Sequence, residues 1–317
     1  MEFFDGLAAV PAGYGPSAVT IGKFDGVHSG HRAILARLRA LAEERGGLAS
    51  VVVTFDRHPL SLLAPAFCPN PLVSNPQKVD LLADSGIDAT LMLTFDQALA
   101  DLEPEEFVRR VLVEALDARL VLAGSDFRFG RKGAGDVTVL KELGRVHGFE
   151  VALIDDVREG SERGERRASS TWIREALEAG AVDEAARVLG RPPVVRSVVI
   201  EGERRGRELG FPTANLDPAR LEGFLPADGV YAAWATVDGV RYPSAVSIGN
   251  NPTFEGVPQH QAEAHLLDVD LDLYGRTIEL AFVARLRGMA RFDSLDELIA
   301  AIRTDAEAAR RALAVTG

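Results

Sequence analysis

The chain has 317 residues, 47% hydrophobic and 26% charged, with a formal net charge of −12; this is a globular composition, long enough for two domains with cores of their own. The acidic balance excludes a general nucleic-acid binder, which carries a basic footprint. One cysteine, Cys68, excludes an internal disulfide and a cysteine metal cluster, while the lack of a secretory signal or a membrane-length apolar run points to the cytoplasm.

In chain order, an apolar run at Ala18–Ile21 predicts a strand. The turn Gly22-Lys23-Phe24-Asp25-Gly26-Val27-His28-Ser29-Gly30-His31 follows it, and a helical pattern runs from Ala33 to Leu41. Gly22, Gly26 and Gly30 let backbone approach a ligand closely. Amides at a helix start point outward and the helix dipole favours an anion there. His28 and His31 beside them can donate hydrogen bonds to phosphate oxygens. The site suits a nucleoside triphosphate attacked at its α-phosphorus, chemistry that needs positioning and charge stabilisation more than a protein nucleophile. His28 and His31 with Asp25 are also a donor set for zinc or iron.

The β-branched run Ser50–Phe55 predicts a buried parallel strand. His58 sits just past its carboxyl end, where ligands bind in open α/β sheets, and capping the loop there is the equal alternative. A helix over Gln77–Ala83, a strand over Ala89–Thr94, a helix from Glu103 to about Leu116 and a strand over Leu120–Ala123 follow. The last empties into Gly124-Ser125-Asp126-Phe127-Arg128-Phe129-Gly130, fit to hold a planar ring and a phosphate, although loop aromatics also plug cores. A helix at Val137–His147 and a strand at Glu150–Ile154 come next, then a charged stretch, Val157–Arg167, expected to be a mobile surface loop. Ser169-Ser170-Thr171 has N-cap chemistry, which alone favours a plain capped helix; with Arg174 one turn in, its hydroxyls and amides can also make an anion site. The alternation predicts a doubly wound parallel sheet, α/β and Rossmann-like.

A helix at Ala181–Leu189 ends in Gly190-Arg191-Pro192-Pro193. Short strands then predominate, at Val194–Ile200, Gly229–Val237, Ala245–Ile248, Ala262–Leu267 and Ile278–Leu286, with a hairpin signal at Asp238-Gly239. They predict a small antiparallel β-barrel. Ser294-Leu295-Asp296-Glu297 reads as a capping box opening a terminal helix, whose Leu295, Leu298, Ile299 and Ile302 are expected against the barrel. The boundary is placed between domains 1–187 and 188–317. Between the first two barrel segments lies a glycine- and arginine-bearing loop, Gly202 to Asn215, able to cradle phosphates. It is not a P-loop, because the Gly-Lys-Ser/Thr ending is missing. On an extended segment Thr213 and Asn215 would face one side and offer oxygen to Mg²⁺; an ordinary turn is the alternative, and spacing alone favours it. Glu263 is an acid in an alternating run and is expected to face the pocket.

The motifs of the first half, 22–31, 124–130 and 169–174, resemble the His-x-Gly-His nucleotidyltransferase module of bacterial bifunctional riboflavin kinase/FAD synthetases. Those of the second half, 205–215, 227–231, 248–254 and 262–275, resemble the riboflavin kinase signature, so the likeness spans nearly the whole chain. It implies phosphorylation of riboflavin by ATP to FMN in the C-terminal domain, and adenylylation of FMN by ATP to FAD and pyrophosphate in the N-terminal one, with Mg²⁺ at both sites. It implies that His28 and His31 stabilise charge on the ATP phosphates. Gly22, Phe24, Asp25, Gly30, His58 and Arg167 would line the nucleotide, Asp126, Phe127 and Phe129 the flavin, and Ser170, Thr171 and Arg174 would close over the phosphates. In the kinase it implies Gly202, Arg207, Gly210, Pro212, Tyr231 and Asn251 at the substrates, Thr213 and Asn215 at the metal, and Glu263 as catalytic base. Riboflavin, FMN and ATP are the expected partners, with no nucleic acid and no membrane. Departures from the pattern are Ala168 for a branched residue, and Pro193 and Ser197 for an aromatic and a glycine. Class I aminoacyl-tRNA synthetases share the His-x-Gly-His element, but their lysine-rich second signature is missing. Two rivals are another His-x-Gly-His enzyme acting on a different phosphate monoester and a flavin-binding carrier with a decayed site.

Overall fold

The computed structural model describes residues 1–155, 158–161, 164–202, 211–249, 261–269 and 271–315. They form two compact units, Met1–Ala168 and Ser169–Gly317.

The first unit is built on six parallel strands: β1 (Glu2–Asp5), β2 (Ser17–Ile21), β3 (Ala49–Phe55), β4 (Ala89–Leu93), β5 (Ala118–Gly124) and β6 (Glu150–Ile154). Their order is β1-β4-β3-β2-β5-β6. Every residue of β4, and the centre of β3, is buried, as expected of strands covered on both faces. Strand order reverses at β2, which has β3 on one side and β5 on the other. A crevice outside the carboxyl ends of β2 and β5 is therefore the ligand position of a doubly wound sheet.

Helix α1 (Ser29–Glu44) buries Leu35, Leu38, Leu41 and Ala42, a three-four spacing that makes one apolar face. After the single turn α2 (Leu60–Leu63), α3 (Asn75–Asp84) starts in a full capping box between Ser74 and Gln77. The single turn α4 (Gln97–Ala100) precedes α5 (Pro104–Phe107), which runs into a π-helical segment, Val108–Ala115. Helix α6 (Val137–His147) is capped by Asp136, whose carboxylate accepts from Thr138 and Val139 amides, and ends at left-handed Gly148. Strand β1 is absent from the sequence expectation: of its four residues only Phe4 is buried, too little pattern to read. The expected loop at Val157–Arg167 is instead a hairpin over its described residues, β7 (Arg158–Ser161) against β8 (Gly164–Arg167), with Arg158 opposite Arg167. Arg158, Gly160, Glu165, Arg166 and Arg167 are all exposed. Exposure of all these residues removes the alternation that betrays a strand.

The second unit opens with α7 (Ser170–Glu178) and α8 (Val182–Leu189). The expected boundary at 187/188 falls inside α8, and both helices belong to the second compact unit. The Ala227 amide donates to Leu177 O at 2.8 Å, and Arg285 donates to Ala179 O at 3.2 Å and Asp228 O at 2.8 Å. Strands β9 (Val194–Ile200), β10 (Ala214–Leu216), β11 (Gly229–Val237), β12 (Val240–Gly249), β13 (Gln261–Leu266) and β14 (Thr277–Arg287) close a barrel in the order β10-β13-β12-β11-β14-β9. All its pairings are antiparallel. β12 starts earlier than the expected Ala245, because Asp238 (φ 48°) and Gly239 (φ 79°) make a two-residue hairpin that pairs Val237 with Val240 at once.

Helix α9 (Leu295–Ala314) corrects the expectation for its apolar face. Leu295 is 54% exposed, and Leu298, Ile299 and Ile302 are half-buried. The buried contact is made by Ala306, Ala309 and Leu313 against Ala232 and Leu267. Alanines let the helix axis come close to the barrel wall, and the bidentate pair of Arg287 with Asp305, 2.8–3.2 Å, anchors it there. Ser294 caps the helix through the Glu297 amide, but the Glu297 carboxylate returns to the Asp293 amide at 3.1 Å, one residue before the capping-box position.

Candidate active sites

The turn after β2 begins where the Gly22 amide donates to Val53 O at 3.0 Å. Three of its next residues are left-handed: Phe24 (φ 47°), Gly26 (φ 81°) and Val27 (φ 39°). Such geometry is unfavourable for Phe and Val and persists only where the surroundings over-determine it. Here both side chains are 1% exposed and packed with Leu35, Val52, Leu82 and Ile87. The turn is thereby fixed, and α1 starts in a set direction.

His28 is the N-cap of α1, its Nδ1 accepting from the His31 amide at 3.4 Å. The two imidazoles stack, centroids 3.7 Å apart and planes 24° apart, and Phe24 lies 4.9 Å from the His31 ring. A Cβ on Gly30 would come within 3.1 Å of the His28 ring and 3.6 Å of Ala168 O, so glycine there is what lets the ring and that carbonyl share the space. Burial holds the His31 imidazole well below its ordinary pKa, reinforced by His28 and by the cations Lys23, Arg167 and Lys78. His31 is therefore neutral at pH 7 and keeps one N–H to donate. Its buried Nδ1 has no hydrogen-bond partner.

The other expected residues of this unit lie in the turn after β2, past the carboxyl ends of β3 and β5, and at the end of β8. Asp25 Oδ1 accepts from the Leu72 amide at 2.9 Å. Among the described residues no three His, Cys, Asp or Glu side chains form a metal-binding group, and this leaves the zinc or iron reading of Asp25, His28 and His31 without support. His58 caps its loop, Nδ1 accepting from the Leu60 amide at 3.1 Å, and its Nε2 is 3.3 Å from Lys23 Nζ. Asp126, in the loop after β5, pairs with Arg167 at 2.7 Å, and that pairing holds its carboxyl below the usual range. Phe127 and Phe129 stack at 5.5 Å. Phe129 is 7% exposed and belongs to the core beside Phe107, whereas Phe127 is half-buried.

Sequence reasoning missed Lys78. It is 6% exposed, donates to Phe55 O at 2.8 Å and has its pKa lowered by burial, with Asp25 and Asp56 acting in the opposite direction. A lysine on the buried face of α3 breaks that helix's apolar pattern, which was the available signal.

Ser170, Thr171 and Arg174 lie in the first turns of α7, in the second unit. Ser169 caps this helix, its Oγ accepting from the Trp172 amide at 3.3 Å. Ala168, the departure from the family pattern, is 4% exposed.

In the barrel, Asn215 on β10 stands opposite Glu263 on β13, and Ala214 opposite Ala264. Ala262, Ala264 and Leu266 are buried while Gln261, Glu263 and His265 are half-buried, so the polar set shares one face of β13 away from the barrel core. Thr213 and Asn215 flank buried Ala214 in the same way. A Cβ on Gly202 would lie 2.8 Å from Asn215 Oδ1, so a larger residue at 202 would displace that amide. A cavity of about 220 Å³ is lined by Gly202, Pro212, Thr213 and Asn215 together with Leu271 and Tyr274. Tyr231 is not brought to it: it is fully buried, hydrogen-bonded to Ala227 O and edge-on to Phe282 at 5.5 Å. Arg207, Gly210 and Asn251 lie outside the described residues. The two barrel departures are accommodated structurally, Ser197 by donating to Asp217 O at 2.8 Å and Pro193 by accepting from the Phe282 amide at 2.9 Å.

The FAD synthetase family model matches residues 12–171 and the riboflavin kinase model residues 189–313. A bifunctional riboflavin kinase/FMN adenylyltransferase of Pseudomonas fluorescens is 39% identical over 98% of this chain and 97% of its own length. One from Escherichia coli K12 is 38% identical over 94% and 93%. The chain belongs to the bifunctional riboflavin kinase/FMN adenylyltransferase family. It phosphorylates riboflavin with ATP to FMN and adenylylates FMN with ATP to FAD, releasing pyrophosphate. The adenylyltransferase is N-terminal and the kinase C-terminal. A solved structure titled a macrolide-efflux protein, from Streptococcus pneumoniae, has this fold across 98% of the chain, with 30% identity and a TM-score of 0.83. Among the described residues of this family member, no helix is long and apolar enough to cross a membrane.

Proposed function

We propose that the two reactions of this bifunctional enzyme are carried by two separate sets of side chains. The observation that supports the adenylyltransferase set is the stacked pair His28–His31 at the start of α1, outside the carboxyl end of β2. An oxygen of the FMN phosphate attacks the α-phosphorus of ATP, and the bond to pyrophosphate breaks. The neutral His31 and its neighbour His28 donate N–H groups to phosphate oxygens as charge builds there, and the dipole of α1 adds to the same field. Ser170, Thr171 and Arg174 serve the phosphates as well.

In the kinase, the Glu263 carboxylate takes the proton of the ribityl 5′-hydroxyl while that oxygen attacks the γ-phosphorus and ADP departs. The cross-strand register of Asn215 with Glu263 supports this, because it sets the base beside the oxygen donors. A hydroxyl and an amide oxygen two residues apart fit Mg²⁺, a hard cation held through few protein ligands plus phosphates. Thr213 and Asn215 would hold it, and when bound it offsets negative charge on the transferring phosphoryl group. Mg²⁺ with ATP at the adenylyltransferase, and action in the cytoplasm, complete the reading.

Reciprocal loss tests the assignment. His28→Ala with His31→Ala is expected to abolish FAD formation from supplied FMN while riboflavin is still phosphorylated; Glu263→Ala is expected to do the reverse. FAD formation at the wild-type rate without both histidines rejects the first set, and FMN formation at the wild-type rate without Glu263 rejects the second.

A further inference from the structure

Strand β10 is three residues long, and its pairing with β13 stops at Ala214 opposite Ala264. Continued by one position, the same register would set Thr213 opposite His265. The next residue, Pro212, has no N–H and cannot extend a ladder. Backbone pairing is thus lost on the side of β10 where Thr213 lies. His265 takes over: its Nδ1 is 2.8 Å from Pro212 O. A carbonyl only accepts, so Nδ1 carries the proton and donates. The His265 ring also meets Phe211 edge-on, centroids 5.7 Å apart and planes 78° apart. One side chain therefore grips both residues that precede Thr213.

We propose that His265 is a positioning residue of the kinase site, its Nδ1–H holding the Pro212 carbonyl so that Thr213 is aimed to the face it shares with Asn215 and Glu263. The proposal rests on the reading of Thr213 as a ligand of MgATP. Glu263 and His265 then form a pair two residues apart on one face of β13. The first stands opposite Asn215 and the second steadies the chain leading to Thr213.

The test compares His265→Phe, which keeps a ring against Phe211 but has no donor, with His265→Asn, whose amide nitrogen can stand in for Nδ1. Riboflavin phosphorylation is measured over a range of Mg²⁺ and ATP, and FMN adenylylation by the same full-length chain is the internal control. His265→Phe is expected to lower kcat/KM for phosphorylation about tenfold, mainly through a higher KM for MgATP, consistent with losing one positioning hydrogen bond. Adenylylation should stay at the wild-type rate, and His265→Asn should recover most of the loss. Added to Thr213→Ala, His265→Phe should cost little more, since residues acting through one contact are not additive. Wild-type kcat/KM in His265→Phe while Thr213→Ala is impaired overturns the proposal and leaves the ligand reading standing. A silent Thr213→Ala beside a costly His265→Phe removes the ligand reading and with it this role for His265. An Asn variant as poor as the Phe variant contradicts the hydrogen-bond role.

Discussion

At the scale of single residues, the turn from Gly22 to His31 keeps an imidazole in a dry, positively charged setting. The His31 imidazole titrates well below 6.5, chiefly through burial, with His28 and three nearby cations adding to it. Its sign fixes a pH dependence. As pH falls below about 6.5 the unfolded chain binds this proton first, so His31 subtracts stability in acid, by up to about 1.4 kcal/mol per pH unit until its folded pKa is reached. Urea midpoints at pH 7.5 and 5.5 check this: the acid loss should be smaller in His31→Gln than in the wild type, and an equal loss in both chains would contradict it. Much of this site was legible because its residues are contiguous. Gly22 to His31 is one turn, and a turn's chemistry can be read along the chain. Lys78 was not legible, since the groups it meets, Phe55 O, Asp25 and Asp56, are distant from it in sequence. Tyr231 and Phe129 show the converse. Both stand in motif positions, yet one fills the barrel and the other the core under its loop.

At the scale of elements, what the sequence showed depended on whether an element has a buried face. β3, α6 and β9 have buried apolar positions or clear caps, and their bounds were read to within a residue or so. The residues of the β7–β8 hairpin whose burial is described are all exposed and β1 has one buried residue, so neither left a pattern. Helix α9 misled in a more useful way. Its large apolar residues are concentrated at the start, but its contact is made later, by residues small enough to let the helix approach. Leu313→Ala should therefore destabilise the second unit by about 2–3 kcal/mol, because Leu313 is 2% exposed in a packed cluster. Leu295→Ala should stay within about 0.5 kcal/mol of the wild type, as an exposed side chain does. Chemical denaturation followed by far-UV circular dichroism compares the two, and equal losses would return Leu295 to the interface.

At the scale of the whole molecule, the class of each half followed from the change in pattern near Gly190: strands alternating with helices before it, short strands with turns after it. The strand order did not follow. Nothing local says that β2 sits between β3 and β5, yet that reversal places the His28–His31 turn and the Asp126 loop around one crevice. The barrel's order likewise sets Glu263 opposite Asn215, residues 48 positions apart, and so converts two separate motifs into one candidate site. Each half is expected to carry a complete set of side chains for its own reaction. Mixing two defective full-length chains tests it most directly. Glu263→Ala and His28→Ala/His31→Ala are incubated together with riboflavin, ATP and Mg²⁺, and flavins are separated by chromatography over time. Neither chain alone should make FAD from riboflavin, while the mixture should make FMN first and FAD after it. No FAD from the mixture, or FAD from either chain by itself, would contradict it.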